Sequence, residues 1–271
     1  MHRRTFFALC AAGLAAPASR AAAEPAPTGP FLEDMTWIEV RDAVRAGATT
    51  AILPTGGSEQ NGPHMAIGKH NAIVRHCAGE IARRHGAALV APVLAYVPEG
   101  SFDPPADNMA LPGTIGLAEP TFGAVLREGA MSLKLAGFRL ICFLGDHGGS
   151  QKTQAQVAAT LDRTWRRDGV RVATLDRYYR ANGQRAYLRA QGYADAEIGL
   201  HAGLLDTAEL LAVAPGAVRE NLLSPATWPK GTTGAAGDPT RATPALGRAL
   251  LELKIAAGLA QLREVQGAHR S

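Results

Sequence analysis

Leu140-Ile141-Cys142-Phe143-Leu144, running into Gly145-Asp146-His147-Gly148-Gly149-Ser150, is a short unbroken apolar run that empties into a glycine-rich polar turn. A strand with one face in water alternates apolar and polar residues, so a run without alternation reads as a strand buried on both faces. Burial on both faces requires helices above and below. The run therefore predicts an interior strand of a parallel sheet whose polar turn lies at the carboxyl end of that strand.

Working outward, Gln151 to Arg167 has helical spacing and Val170 to Leu175 reads as the next strand. Upstream, Pro120 to Ala136 forms an amphipathic helix pattern, and Thr50-Ala51-Ile52-Leu53 reads as another buried strand. Ala72 to His85 carries Ile73, Val74, Cys77 and Ile81 at helical spacing and stops at Gly86. Ala88 to Val93 is a third strand pattern, and a closing helix is expected from about Pro244 to Val265. This alternation predicts an α/β fold, three layers deep, with a mainly parallel central sheet. No internal repeat or change of composition divides residues 24–271, so they read as one domain.

The 271 residues are 46% hydrophobic and 19% charged, which supplies an ample core and excludes intrinsic disorder. The net charge of +4 is too slight and too dispersed for a nucleic-acid partner. No uncharged apolar run is long enough to predict a transmembrane helix. Met1 to Ala23 reads as an export signal: Arg3 and Arg4, an apolar stretch from Phe6 to Ala18, then Ala21-Ala22-Ala23. The arginine pair before Thr5-Phe6-Phe7 reads as a twin-arginine signal, with an ordinary secretory signal as the alternative. Periplasmic localisation follows, with no membrane association after the signal is removed. Cleavage takes away Arg3, Arg4 and Arg20 and no acidic residue, so most of the positive excess belongs to the leader. Leu9 before Cys10 argues against lipidation. Cys77 and Cys142 are expected as buried inert thiols, with one disulfide as the alternative.

Two expected strand ends carry chemistry. One is Pro54-Thr55-Gly56-Gly57-Ser58-Glu59-Gln60-Asn61-Gly62-Pro63-His64, which continues through Gly68-Lys69-His70-Asn71 into a helix. The other is the Asp146-His147 turn. Ligands bind where loops leave the carboxyl ends of parallel strands, so Glu59, His70 and His147 are candidates to converge. A carboxylate with two imidazoles is a ligand set that zinc accepts, and three protein ligands leave a position open. Spacing alone does not fix that geometry, because a loop Glu and two His are ordinarily polar surface residues.

These segments resemble the creatininase (creatinine amidohydrolase) family. The first is similar to its Gly-x-x-Glu-Gln-His-Gly-Pro-His motif and the second to its Asn-Gly-His-Gly-Gly-Asn motif. Leu111-Pro112-Gly113-Thr114-Ile115, Leu200-His201-Ala202-Gly203-Leu204-Leu205-Asp206-Thr207 and Gly237-Asp238-Pro239-Thr240 match three further motifs in order. The resemblance implies a metal-dependent hydrolase acting on a non-peptide C–N bond of a small linear or cyclic amide. It also implies a small-molecule substrate and a homo-oligomer.

The departures are specific. Relatives hold two ions with the motif's Glu, its first His, a downstream bridging Asp and the glycine-loop His, plus another carboxylate. Here Glu59 and His147 match, but Asn61 replaces the first His and His70 replaces the bridge. Asp206 shortens the third motif's Glu, Gly149 stands where creatininase itself has a glutamate, and Asn108 stands where many relatives have a histidine. The expected ligand set is Glu59, His70 and His147, holding one divalent ion rather than two: zinc first, manganese or iron next. Asp146 or Asp206 is expected as the base, a further ligand or a partner behind a ligand, and His201 as the donor to a leaving nitrogen. His64 is expected to orient its loop, Lys69 to be solvated, with a counter-charge to an anionic substrate as the alternative, and Trp228 to pack, with a place in a lid as the alternative. The alternative is a degenerate, non-catalytic member that binds a small molecule.

Overall fold

The structure, a computed structural model, describes residues 29–226 and 233–270. The expected leader at 1–23 and Trp228 lie outside the described residues. Four parallel strands, β1 (Thr50–Thr55), β2 (Ala88–Val90), β3 (Leu140–Gly145) and β4 (Arg171–Thr174), form a sheet in the order β2-β1-β3-β4. The helices are α1 (Trp37–Arg45), α2 (Lys69–His85), α3 (Glu119–Leu135), α4 (Gln151–Trp165), α5 (Arg177–Arg180), α6 (Gln184–Ala190), α7 (Asp195–Ile198), α8 (Leu204–Val213) and α9 (Pro244–Arg270). The parallel three-layer expectation holds.

Successive strand residues point to opposite faces, and here both faces are apolar. Ile52, Cys142 and Leu144 face a cluster with Ile73, Cys77 and Ile81 of α2 and Leu251 and Ile255 of α9. Ala51, Leu53, Ile141 and Phe143 face Phe122 and Leu126 of α3 and Leu161 and Trp165 of α4. Each such large side chain contributes about 1.5–3 kcal/mol on leaving water, and this explains why the runs do not alternate. Cys77 and Cys142 are both free and buried. Burial pushes the Cys142 thiol up to about 12, so it is not a nucleophile at neutral pH.

Two boundaries differ from the sequence reading in ways that build the site. β1 continues through Pro54 to Thr55, pairing Pro54 with Leu144 and Thr55 with Gly145. A proline interrupts a ladder only where its N–H is needed. The Pro54 carbonyl accepts from Leu94 N, so Pro54 faces the β2 side, and β2 has ended by then at Val90. α2 begins at Lys69 instead of Ala72, behind Gly68, without a side-chain cap. Its first turn is secured instead by tertiary contacts: Asn71 accepts from Gly57 N at 3.1 Å and donates to Ser58 Oγ at 3.3 Å.

The chain leaves β1 toward β2 on one side and β3 on the other. The sheet order therefore reverses between β1 and β3, the crevice where open parallel sheets bind ligands. Both chemistry-bearing loops exit there side by side. No helix among the described residues is long and apolar enough to cross a membrane.

Candidate metal centre

Glu59 is 1% exposed and sits at the meeting point of both loops and the first turn of α2. Its Oε1 lies 2.9 Å from His70 Nε2, and its Oε2 lies 3.1 Å from His147 Nε2. One donor atom each from Glu59, His70 and His147 falls within 4.8 Å of the others, so the structure brings the three expected ligands together. The His70 and His147 rings meet edge-on with centroids 5.1 Å apart.

Each imidazole is held from behind. His70 Nδ1 pairs with Asp146 Oδ2 at 2.7 Å, leaving Nε2 directed at Glu59. His147 Nδ1 accepts from Gly149 N at 3.2 Å, which in the neutral ring puts the proton on Nε2. Gln151 Nε2 donates to the carbonyls of Gly145 and His147 and fixes that turn.

Of the places the sequence leaves open to Asp146, the structure favours the one behind a ligand, not the base. Its Oδ1 accepts from Tyr178 OH and from Lys254 Nζ, both at 2.7 Å. Burial alone would raise its pKa, but Lys254 and His70 outweigh burial and hold it at about 2. Lys254, reaching in from α9, also donates to Glu209 at 3.1 Å. Asp146 thus orients His70 and has no oxygen left to take a proton. Asp206 is engaged through one oxygen: its Oδ2 accepts from Lys69 Nζ at 2.8 Å and from Ala202 N at 2.9 Å. The Ala202 bond steadies a non-glycine residue at φ 54°, in the left-handed region that L-residues avoid by about 1–2 kcal/mol.

Lys69 is the clearest correction. Expected in solvent, it is 1% exposed, with Nζ 3.2 Å from Glu59 Oε1 and 2.8 Å from Asp206 Oδ2. Burial would lower its pKa, but the two carboxylates outweigh burial and raise it, so it is a permanent ammonium. Glu59 responds in the opposite sense: burial pushes it up, while Lys69, His147 and His70 hold it well below the carboxylate range. His70, opposed by burial and by Lys69 but flanked by Asp146 and Glu59, is raised to about 9.

The sequence reading missed Glu99. Buried in the loop after Pro98, its Oε2 lies 3.0 Å from Asn108 Nδ2 and 3.2 Å from His147 Nε2, and its Oε1 has no hydrogen-bond partner among the described groups. Burial, with the Glu59 charge added, raises it to about 8. A β-carbon added at Gly149 would lie 2.2 Å from the Pro98 carbonyl oxygen. Position 149 therefore cannot carry a carboxylate while this loop stays where it is, and the same loop delivers Glu99. The signal available in the sequence was the missing carboxylate at Gly149.

Asn61 does not face the centre through its amide nitrogen, which donates to the Glu59 and Ala66 carbonyls and braces the loop. His64 pairs with Thr207 Oγ1 at 3.2 Å, the loop-orienting place expected of it. His201 Nε2 lies 2.8 Å from the Gln60 carbonyl, and its Nδ1 lies 3.6 Å from Glu59 Oε1. Glu59, His70, His147 and His201 all line one cavity of about 630 Å³, which Arg180 and Leu200 also line.

These features define an α/β protein with a carboxylate–imidazole centre at the carboxyl edge of its sheet. The chain belongs to the creatininase family: the family model described as creatinine amidohydrolase matches residues 33–262. It is similar to the mycofactocin precursor peptide peptidase of Mycolicibacterium smegmatis, 29% identical over 115 residues, which are 41% of this chain and 44% of that protein. The matched stretch spans less than half the length of the curated relatives. Among solved structures, a creatinine amidohydrolase superposes with TM-score 0.73 at 22% identity, covering 88% of this chain and 98% of that one. A mutant creatininase of the Zn-Zn type superposes with TM-score 0.72 at 23% identity, over the same 88% and 98%. At these identities the likeness shows the fold.

Proposed function

We propose that this chain is a metal-dependent hydrolase of an amide C–N bond in a small substrate. The observation that carries the reading is the convergence of Glu59, His70 and His147 at the β1/β3 crevice, with His70 held from behind by Asp146. The donor set fits one divalent ion. It is one carboxylate and two imidazoles, and a carboxylate behind the imidazole is the usual support of a ligating histidine. To hold an ion through Nε2, the His147 ring would carry its proton on Nδ1 and give up the Gly149 N–H contact. Zinc is the first choice, supported by the donor set and by the Zn-Zn-type neighbour, with manganese or iron next.

When bound, such an ion polarises a carbonyl and activates water. The chain's own residues divide the remaining work. Glu99, with one oxygen free of partners and a pKa near 8, is the group that holds and moves a proton, a role the sequence reading had given to Asp146 or Asp206. His201 presents Nδ1 toward the centre; with Nε2–H given to the Gln60 carbonyl, Nδ1 donates to a departing nitrogen only when the ring is doubly protonated. Asp146, with Lys254 and Tyr178, fixes the His70 ring.

A second reading, a non-catalytic member that binds a small molecule, is favoured by one observation. Both Glu59 oxygens and both His70 nitrogens already have partners inside the protein. Metal analysis separates the two readings. Purified protein loaded with zinc or manganese and then dialysed should retain about one ion per chain, and none retained defeats the hydrolase. We place the enzyme in the periplasm on the strength of Arg3, Arg4 and the alanine-rich segment, and we extend the proposal to a homo-oligomer from the family resemblance. Sedimentation of the purified chain tests the latter.

A further inference from the structure

A fully buried lysine is rare unless something opposite compensates its charge. Lys69, the first residue of α2, places its ammonium between Glu59 Oε1 at 3.2 Å and Asp206 Oδ2 at 2.8 Å. Glu59 belongs to the three-residue ligand set, whereas Asp206 touches none of that set and instead receives Lys69 and the Ala202 N–H. The Asp206 side of the centre is thus a carboxylate pair closed by a covalently tethered cation.

We propose, building on the hydrolase reading above, that the Lys69 ammonium is the resident second cation of this centre. It occupies the Glu59–Asp206 side and restricts the site to a single exchangeable divalent ion, unlike the Zn-Zn-type neighbour. The surrounding residues agree with this. His70 carries no oxygen to bridge two ions, and Gly149 has no room for a side chain. An ammonium needs no bridging oxygen. It offers three donors as a compact charge, which suits two carboxylates approaching from different elements.

The test counts ions on the full chain, with Mn²⁺ as the probe. Wild type should saturate at one equivalent per chain, and Lys69→Arg, which keeps the charge, should do the same. Lys69→Met leaves Glu59 and Asp206 facing each other without a cation, and it should take a second equivalent that disappears in Lys69→Met/Asp206→Asn. If Lys69→Met does not fold alone, excess Mn²⁺ or Mg²⁺ should restore its melting transition, a rescue that a merely structural lysine would not give. Two equivalents in wild type, a single equivalent in folded Lys69→Met, or no rescue by excess divalent ion each overturn the proposal. The first two of these leave the hydrolase reading standing, whereas no ion in wild type defeats both.

Discussion

His70 Nδ1 lies 2.7 Å from Asp146 Oδ2, and Asp146 is itself fixed by Lys254 and Tyr178. The orientation of one ligand is therefore set by a carboxylate that never reaches the centre. Asp146→Asn should lower divalent-ion affinity by about 10- to 100-fold, the usual effect of losing the group behind a ligating histidine. Competition with a chromogenic chelator measures this, and unchanged affinity in folded protein would show that Asp146 does not orient His70.

The raised pKa of His70 gives metal affinity and metal-free stability opposite pH dependences. A divalent ion must displace the His70 proton, so affinity should rise by up to about tenfold per pH unit toward pH 9 and then level. Without metal, a histidine whose pKa rises from 6.5 to about 9 on folding adds stability that is complete below 6.5 and lost as pH rises through 9. Melting temperatures and zinc titrations between pH 6 and 9 test both slopes, and a flat affinity profile would rule out His70 as a ligand.

Glu99→Gln should leave ion stoichiometry unchanged and stabilise the protein at alkaline pH. A carboxyl raised from 4.5 to about 8 on folding removes stability as pH climbs through that interval. The neutral amide escapes this loss and also the repulsion from Glu59. A gain of at least about 1 kcal/mol, roughly 2–4 °C in a domain of this size, is expected at pH 8.5. At pH 5 the difference should shrink, and a pH-independent difference would contradict the raised pKa.

Gly149→Ala probes the loop that carries Glu99. The added methyl meets the backbone oxygen of Pro98, which cannot rotate away as a side chain would, so the loop has to move. A loss of about 1–3 kcal/mol is expected, with one ion still bound through Glu59, His70 and His147. Retention of wild-type stability would mean that the loop shifts freely and that Glu99 is not fixed.

Export is testable independently of the site. Replacing Arg3 and Arg4 together by Lys should leave unprocessed precursor in the cytoplasm under the twin-arginine reading. Normal processing of that variant points to an ordinary secretory signal.

Much of the fold was legible because the strands are buried on both faces. Leu140 to Leu144 could be nothing else at that length, and the loop after it had to emerge at the sheet's carboxyl edge. Glu59, His70 and His147 were legible only as candidates at two glycine-flanked strand ends, and the family motifs, not their spacing, singled them out as a set. Lys69 was not, because a single lysine in a polar loop carries no local mark of burial. Its partner Asp206 lies 137 positions away, and only the packing of α8 against α2 brings them together. Glu99 was hidden by the opposite problem: Val97-Pro98-Glu99-Gly100 matches no motif, and its meaning comes from a clash at Gly149 that exists only in three dimensions. Pro54 shortened the expected strand because sequence alone does not say which side of a strand its missing N–H faces.

The Lys254–Asp146 contact also has a consequence in time. Lys254 belongs to α9, which follows every ligand in chain order. A nascent chain can expose Glu59, His70 and His147 long before the ribosome has made the residue that steadies the His70 ring from behind. Under the hydrolase reading, tight ion binding awaits docking of α9, and because α9 also supplies Leu251 and Ile255 to the core, Lys254→Met rather than truncation isolates the effect: it should weaken ion binding in folded protein.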